Sequence, residues 1–157
     1  MTIDAHMRML AEIGDPRARL MLGRGRTWRV DLDEPPRPKG LRRGRAKQCY
    51  FNAGRWALDY PEWQYVEGYV ALGSPVIEHA WLTADADRVI EPTLSGYGTE
   101  YFGIIVTLDA LRQHLTDRRC WCVFCHEALA RRGISKAPRR VFGENTPGAV
   151  TQGPRPL

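Results

Sequence analysis

Residues 64–83 read QYVEGYVALGSPVIEHAWLT. Tyr65, Val66, Tyr69 and Val70, then Ile77 and Trp81, are aromatic and β-branched residues that suit a pleated, half-buried surface. Gly73-Ser74-Pro75 between them is turn chemistry. Strands are therefore predicted over 64–72 and 77–83, with Gly68 marking a bulge or a close approach of backbone. Alternation along the second strand puts Ile77, His79 and Trp81 on one face.

Further strands follow: a turn at residues 85–87, a short strand over 88–91 stopped by Pro92, and a strand over 101–106. Thr107 then caps a helix to about residue 116, and Gly133 closes a last helix over 122–132. Upstream, Ile3, Met7, Leu10 and Ile13 share one face of a helix that spans residues 4–22 in two pieces, parted at Gly14 and Asp15-Pro16. A short strand is expected at 27–31. Tyr50, Ala53, Trp56 and Ala57 form the apolar face of a helix that begins at Lys47-Gln48 and ends at Tyr60 before Pro61. Helices and strands are segregated, which argues an α+β fold with an antiparallel sheet packed on the helix that starts near Cys49. Alternating βαβ units and a glycine-rich phosphate loop are both missing, so a dinucleotide-binding fold is excluded.

The chain has 157 residues, 43% of them hydrophobic and 26% charged, with a net charge of +5. That is one domain of ordinary globular composition, expected over 1–140 with a flexible tail over 141–157. No apolar run suits a membrane span. Asp4, Glu12 and Asp15 interrupt the N-terminus, so a secretory signal is not expected; a cytoplasmic setting with reduced cysteines is. The charge is uneven. Residues 24–47 hold nine Lys/Arg against three Asp/Glu, residues 48–130 five Arg against eleven Asp/Glu, and residues 131–157 six Lys/Arg against one Glu. The basic loop 32–47 is either an arm able to hold nucleic acid phosphates or a segment folded back on the acidic body.

Three stretches carry chemistry: QCYFNA (48–53), IEHAWL (77–82) and RVIEPT (88–93). Cys49 sits at a helix start, where unpaired N–H groups and a partial positive charge favour a thiolate. An imidazole beside it can take up and return a proton. His79 is the candidate, because His6, His114 and His126 fall on predicted helices. With a turn near 85 and 86, residue 79 lies across from about 91 or 92, so Glu91 is the group that orients the ring; Asp85 and Asp87 are alternatives nearer the turn. Gln48 and Asn52 are candidate side-chain donors to an oxyanion beside the Cys49 N–H. Tyr69 and Trp81, with Tyr65 and Tyr97, are candidate pocket walls.

A cysteine on a helix start, a histidine on a strand and an acid on the next strand, in this chain order, resemble the transglutaminase-like branch of the papain-like cysteine superfamily. The resemblance covers residues 46–106; the acid is Glu where that family usually has Asp. It implies an α+β core with a sheet packed on the nucleophile helix. It also implies a hydrolase or acyltransferase acting on amide, ester or thioester bonds of a peptide or small molecule, through Cys49, His79 and Glu91 and without a cofactor. The alternative is an inactive binding protein of the same fold that uses the basic loop. Cys120, Cys122, Cys125 and His126 are zinc-ligand types. One short stretch would have to supply every ligand, so a buried helix face is expected there and no metal.

Overall fold

A computed structural model describes residues 1–85, 87–118 and 120–124. Helix α1 (Ile3–Glu12) starts at Thr2, whose hydroxyl accepts from Ala5 N. Gly14 then takes φ +96°, a left-handed conformation that favours glycine. Asp15 caps α2 (Pro16–Arg24), with proline in the first turn. Strand β1 (Arg26–Trp28) is shorter than the expected 27–31. After the basic loop come α3 (Cys49–Asp59), β2 (Gln64–Ala71), β3 (Val76–Thr83), β4 (Glu100–Val106) and α4 (Leu108–Arg118). The expected last helix over 122–132 does not start at Cys122, because residues 122–124 are held in a turn on the sheet by Glu67; its remainder, with Cys125 and His126, and the expected tail from 141 lie outside the described residues.

The architecture is α+β: a four-stranded antiparallel sheet in the order β1-β4-β2-β3, with four helices among the described residues. Alternation in β2 separates its two faces. Tyr65, Tyr69 and Ala71 join Ile3, Met7, Ala18, Met21, Ala53 and Ala57 in the core under the helices. Val66 and Val70 join Trp28, Trp81, Val89, Tyr101 and Ile105 in a second core on the other face. Small residues at Ala53 and Ala57 of α3, meeting Ala80 of β3, let the helix lie close on this edge strand.

The expected strand over 88–91 is reduced to single bridges. Leu82 pairs with Ile90 on one side and Arg29 with Arg88 on the other. These bridges run from the β3 edge to the chain just after β1, so one short segment occupies both open edges and roofs the second core. The basic loop is not a free arm. Gly44 N donates to Pro92 O, and Glu91 N to Pro36 O. Arg37 Nη1 donates to the carbonyls of Glu91 and Leu94. No helix among the described residues is long and apolar enough to cross a membrane.

Gly103, Gly68 and His79 lie in one row across β4, β2 and β3. A Cβ at Gly103 would stand 2.5 Å from Glu67 O and 2.6 Å from the Trp81 ring. Gly103 therefore leaves the floor on which Trp81 lies, and Gly68 lets the β4 backbone at Phe102 and Gly103 come close. Gly103→Ala is expected to lower stability by about 1–3 kcal/mol, read as a lower urea midpoint at unchanged m-value. Gly96→Ala, where an added Cβ meets nothing within 4 Å, is expected to stay within about 0.5 kcal/mol of the parent.

Candidate active site

The sheet edge and the start of α3 meet at Cys49, His79 and Glu91. Gln48 is the N-cap of α3, and the first helical bond runs from Asn52 N to Gln48 O. The N–H groups of Cys49, Tyr50 and Phe51 thus precede the ladder. The Cys49 thiol, half-buried, lies near enough to the His79 ring to favour the ring's charged form. His79 Nε2 lies 2.8 Å from Glu91 Oε2. A carboxylate only accepts, so Nε2 carries the hydrogen and Nδ1 is the nitrogen left for the thiol.

Leu82–Ile90 pairing puts Glu91 across from Trp81, so the carboxylate reaches His79 diagonally rather than directly. Its length suits that path. Both oxygens are saturated: Oε2 accepts from His79 Nε2 and from Tyr101 Oη at 2.9 Å, and Oε1 from the amides of Thr93 and Leu94 at 2.8 and 3.0 Å. Gly98 N in turn donates to Tyr101 Oη. The turn aspartates do other work. Asp85 caps its own turn and pairs with Arg88, and Asp87 lies near Arg26 and Arg29.

His79 and Glu91 are 1% and 0% exposed. Burial works against the imidazolium, but hydrogen bonds to Cys49 and Glu91, and the charge of each, prevail and raise the ring to about 9. Burial likewise pushes the Glu91 carboxyl up, while the His79 contact and the Leu94 and Thr93 amides bring it below the ordinary carboxylate range.

The other candidates take different places. Asn52 is buried and its Nδ2 donates to Arg45 O at 2.8 Å and Thr93 Oγ1 at 3.0 Å. Both amide hydrogens are committed, so Asn52 fastens the basic loop and leaves no donor for an oxyanion. A Cβ at Gly44 would stand 2.3 Å from its amide, hence glycine there. Trp81 is fully buried, its ring stacked at 18° and 6.3 Å on His79. It backs the imidazole and offers no pocket surface. Tyr69 pairs with Glu78 and therefore points to the helix face, opposite His79, where it lies 5.4 Å from the Arg17 guanidinium. Gln48 stays exposed, with no capping bond from its side chain.

Three contributors lie outside the sequence reading: Tyr101, the Thr93 and Leu94 amides, and Arg37. The EPT run held one signal, since proline after Glu91 turns the next two N–H groups back on its carboxylate. The tyrosine, ten residues on, has none. Among the described residues no cluster of His, Cys, Asp and Glu suits a metal ion. Cys122 is buried and 3.6 Å from both Glu67 Oε2 and Arg17 Nη1.

The raised ring and the lowered carboxyl set a pH window. The His79 contribution to stability is complete below the ordinary imidazole value of 6.5 and is lost as pH rises through about 9. The Glu91 contribution is present above its ordinary value of 4.5 and is lost as pH falls through the lowered one. Glu91→Gln removes one hydrogen bond and one charge that hold the imidazolium. The His79 titration followed by NMR is expected to fall from about 9 toward the ordinary 6.5. A ring that still titrates near 9 in the variant would show that Glu91 does not hold its proton.

A scan against protein-family models finds no match for this chain, and neither a curated protein nor a solved structure is similar to it.

Proposed function

We propose that the protein is a cysteine-dependent hydrolase or acyltransferase of papain-like, transglutaminase-like organisation, acting on an amide, ester or thioester bond. The observation that carries this reading is the chain of contacts from the Cys49 thiol to the His79 ring and on to a fully coordinated Glu91 carboxylate. A histidine kept only for packing needs no carboxylate with four donors behind it.

In this reading Cys49 passes its proton to His79 Nδ1, and the sulfur attacks the substrate carbonyl carbon. A carbon–sulfur bond forms and the carbonyl oxygen becomes an oxyanion. The Cys49 N–H and the Gln48 side chain, free at the N-cap, are the donors within reach. The tetrahedral species collapses, the imidazolium protonates the leaving amine, alcohol or thiol, and an acyl-enzyme remains. Water or an amine then attacks, gives its proton to the ring, and releases the acyl group with the thiol restored. Glu91 holds the ring tautomer and steadies its charge throughout.

Cys49→Ala is expected to lower turnover of p-nitrophenyl acetate, a generic acyl donor, by more than about a thousandfold. It is also expected to abolish alkylation by iodoacetamide at neutral pH, whereas Cys122→Ala leaves both unchanged. Equal alkylation of the two cysteines in the parent protein would refute the assignment. The basic limb has a sign. Turnover of an amide, whose leaving nitrogen needs the His79 proton, is expected to decline above about pH 9, and turnover of the nitrophenyl ester, whose leaving group needs none, is not.

A further inference from the structure

A groove of about 870 Å³ runs past the first turn of α3, with Gln48 and Tyr50, the residues on either side of Cys49, in its wall. Its lining also holds three cations, Arg43, Arg45 and Lys47, and the aromatic side chains Phe51 and Trp121. Phe51 is 41% exposed and meets Trp121 edge to face at 5.2 Å. The cations stand on fixed backbone, because Gly44 N and Arg45 O are tied to Pro92 and Asn52.

Arg17 is engaged with Glu78, Arg55 with Asp59, and Arg88 with Asp85 and Glu34. Arg43, Arg45 and Lys47 make no ion pair among the described residues. Glu78, an acid of the neighbouring strand, is bound to Arg17 and Tyr50. Three exposed cations beside two aromatic rings select a ligand that is anionic and apolar together.

We infer that this groove is the substrate-side subsite of Cys49 and that the acyl donor is an acidic peptide, with a Glu or Asp facing Arg43, Arg45 and Lys47 and an aromatic or aliphatic side chain laid on Phe51 and Trp121. The inference rests on Cys49 being the nucleophile. It adds what the triad leaves open, the class of substrate.

Two peptidyl vinyl sulfones of equal length, one with Phe-Glu and one with Phe-Lys before the warhead, test it, with iodoacetamide as a probe too small to use the groove. The full-length protein is expected to react with the acidic probe about tenfold faster or more at low salt. The preference is expected to shrink toward unity in 1 M NaCl and to invert in the Arg43→Glu, Arg45→Glu, Lys47→Glu variant. Its far-UV circular dichroism and urea midpoint should match the parent's, which reports that it folds. Iodoacetamide reaction at Cys49 with no preference between the peptides overturns the subsite and leaves the nucleophile standing. Absence of iodoacetamide reaction at Cys49 overturns both. Salt-sensitive binding of a single-stranded oligonucleotide that the triple variant loses, with no peptide preference, assigns the cations to nucleic acid and overturns the proposal as well.

Discussion

A carboxylate removed from water costs several kcal/mol unless its lone pairs are met and its charge is paired. Glu91 meets that demand with four donors: an imidazole N–H, a phenol and two backbone amides. Much of the surrounding structure follows from it. The 91–94 segment must curl so that its amides face back. Tyr101 must stand on the same face of β4 as His79 does on β3. The carbonyls of that curled segment then point outward, where Arg37 and Gly44 take hold, and the Thr93 hydroxyl accepts from Asn52. Loop 32–47 is thus fixed by the backbone geometry that the buried charge requires.

The same requirement explains the glycine row. The imidazole has to reach both Glu91 inside and Cys49 at the helix start, so the ring cannot swing. Trp81 packs against it in a stacked pose, and Tyr101 meets Trp81 edge-on at 5.2 Å. The Trp81 ring fits over the sheet because Gly103 offers no Cβ to lift it, while Gly68 lets the β4 backbone come close beside it. Backbone sterics on β2 and β4 therefore limit the freedom of a side chain on β3.

The elements were legible where periodicity and punctuation agree. Gly14 with Asp15-Pro16 parts α1 from α2, Pro61 follows the end of α3, and the 64–83 stretch yields β2 and β3 within a residue or so of their observed ends. The pairing of His79 with Glu91 was legible from hairpin counting, although the contact is diagonal. Counting cannot tell which of two facing residues a flexible carboxylate will choose. Asn52 and Tyr69 show where such reasoning stops. Helical spacing places Asn52 near Cys49, but its amide is taken by a carbonyl and a hydroxyl that only tertiary folding brings near. Strand alternation holds Tyr69 opposite His79, and the β2–β3 register that decides this is set across two strands. The 88–91 stretch has a strand's composition, yet its short run between two sheet edges leaves room for only one bridge on each side.

A second buried carboxylate sharpens what makes the first one a site. Glu67 is also sealed from water, on the opposite face of the same sheet, and accepts from Tyr65 Oη, Val123 N, Phe124 N and Cys122 Sγ. Its donor count equals that of Glu91, and the Arg17 guanidinium lies close by. Yet burial raises its carboxyl above the ordinary range despite Arg17 and those donors, whereas Glu91 is held below it. The difference lies in the partners. Glu67 faces backbone amides, a phenol and a thiol, and so clamps residues 122–124 to the sheet. Glu91 faces a ring that can gain and lose a proton next to an accessible sulfur. Burial and saturation are common to both, and what separates clamp from candidate site is a proton carrier bonded to the carboxylate through one nitrogen, with a half-buried thiol close by.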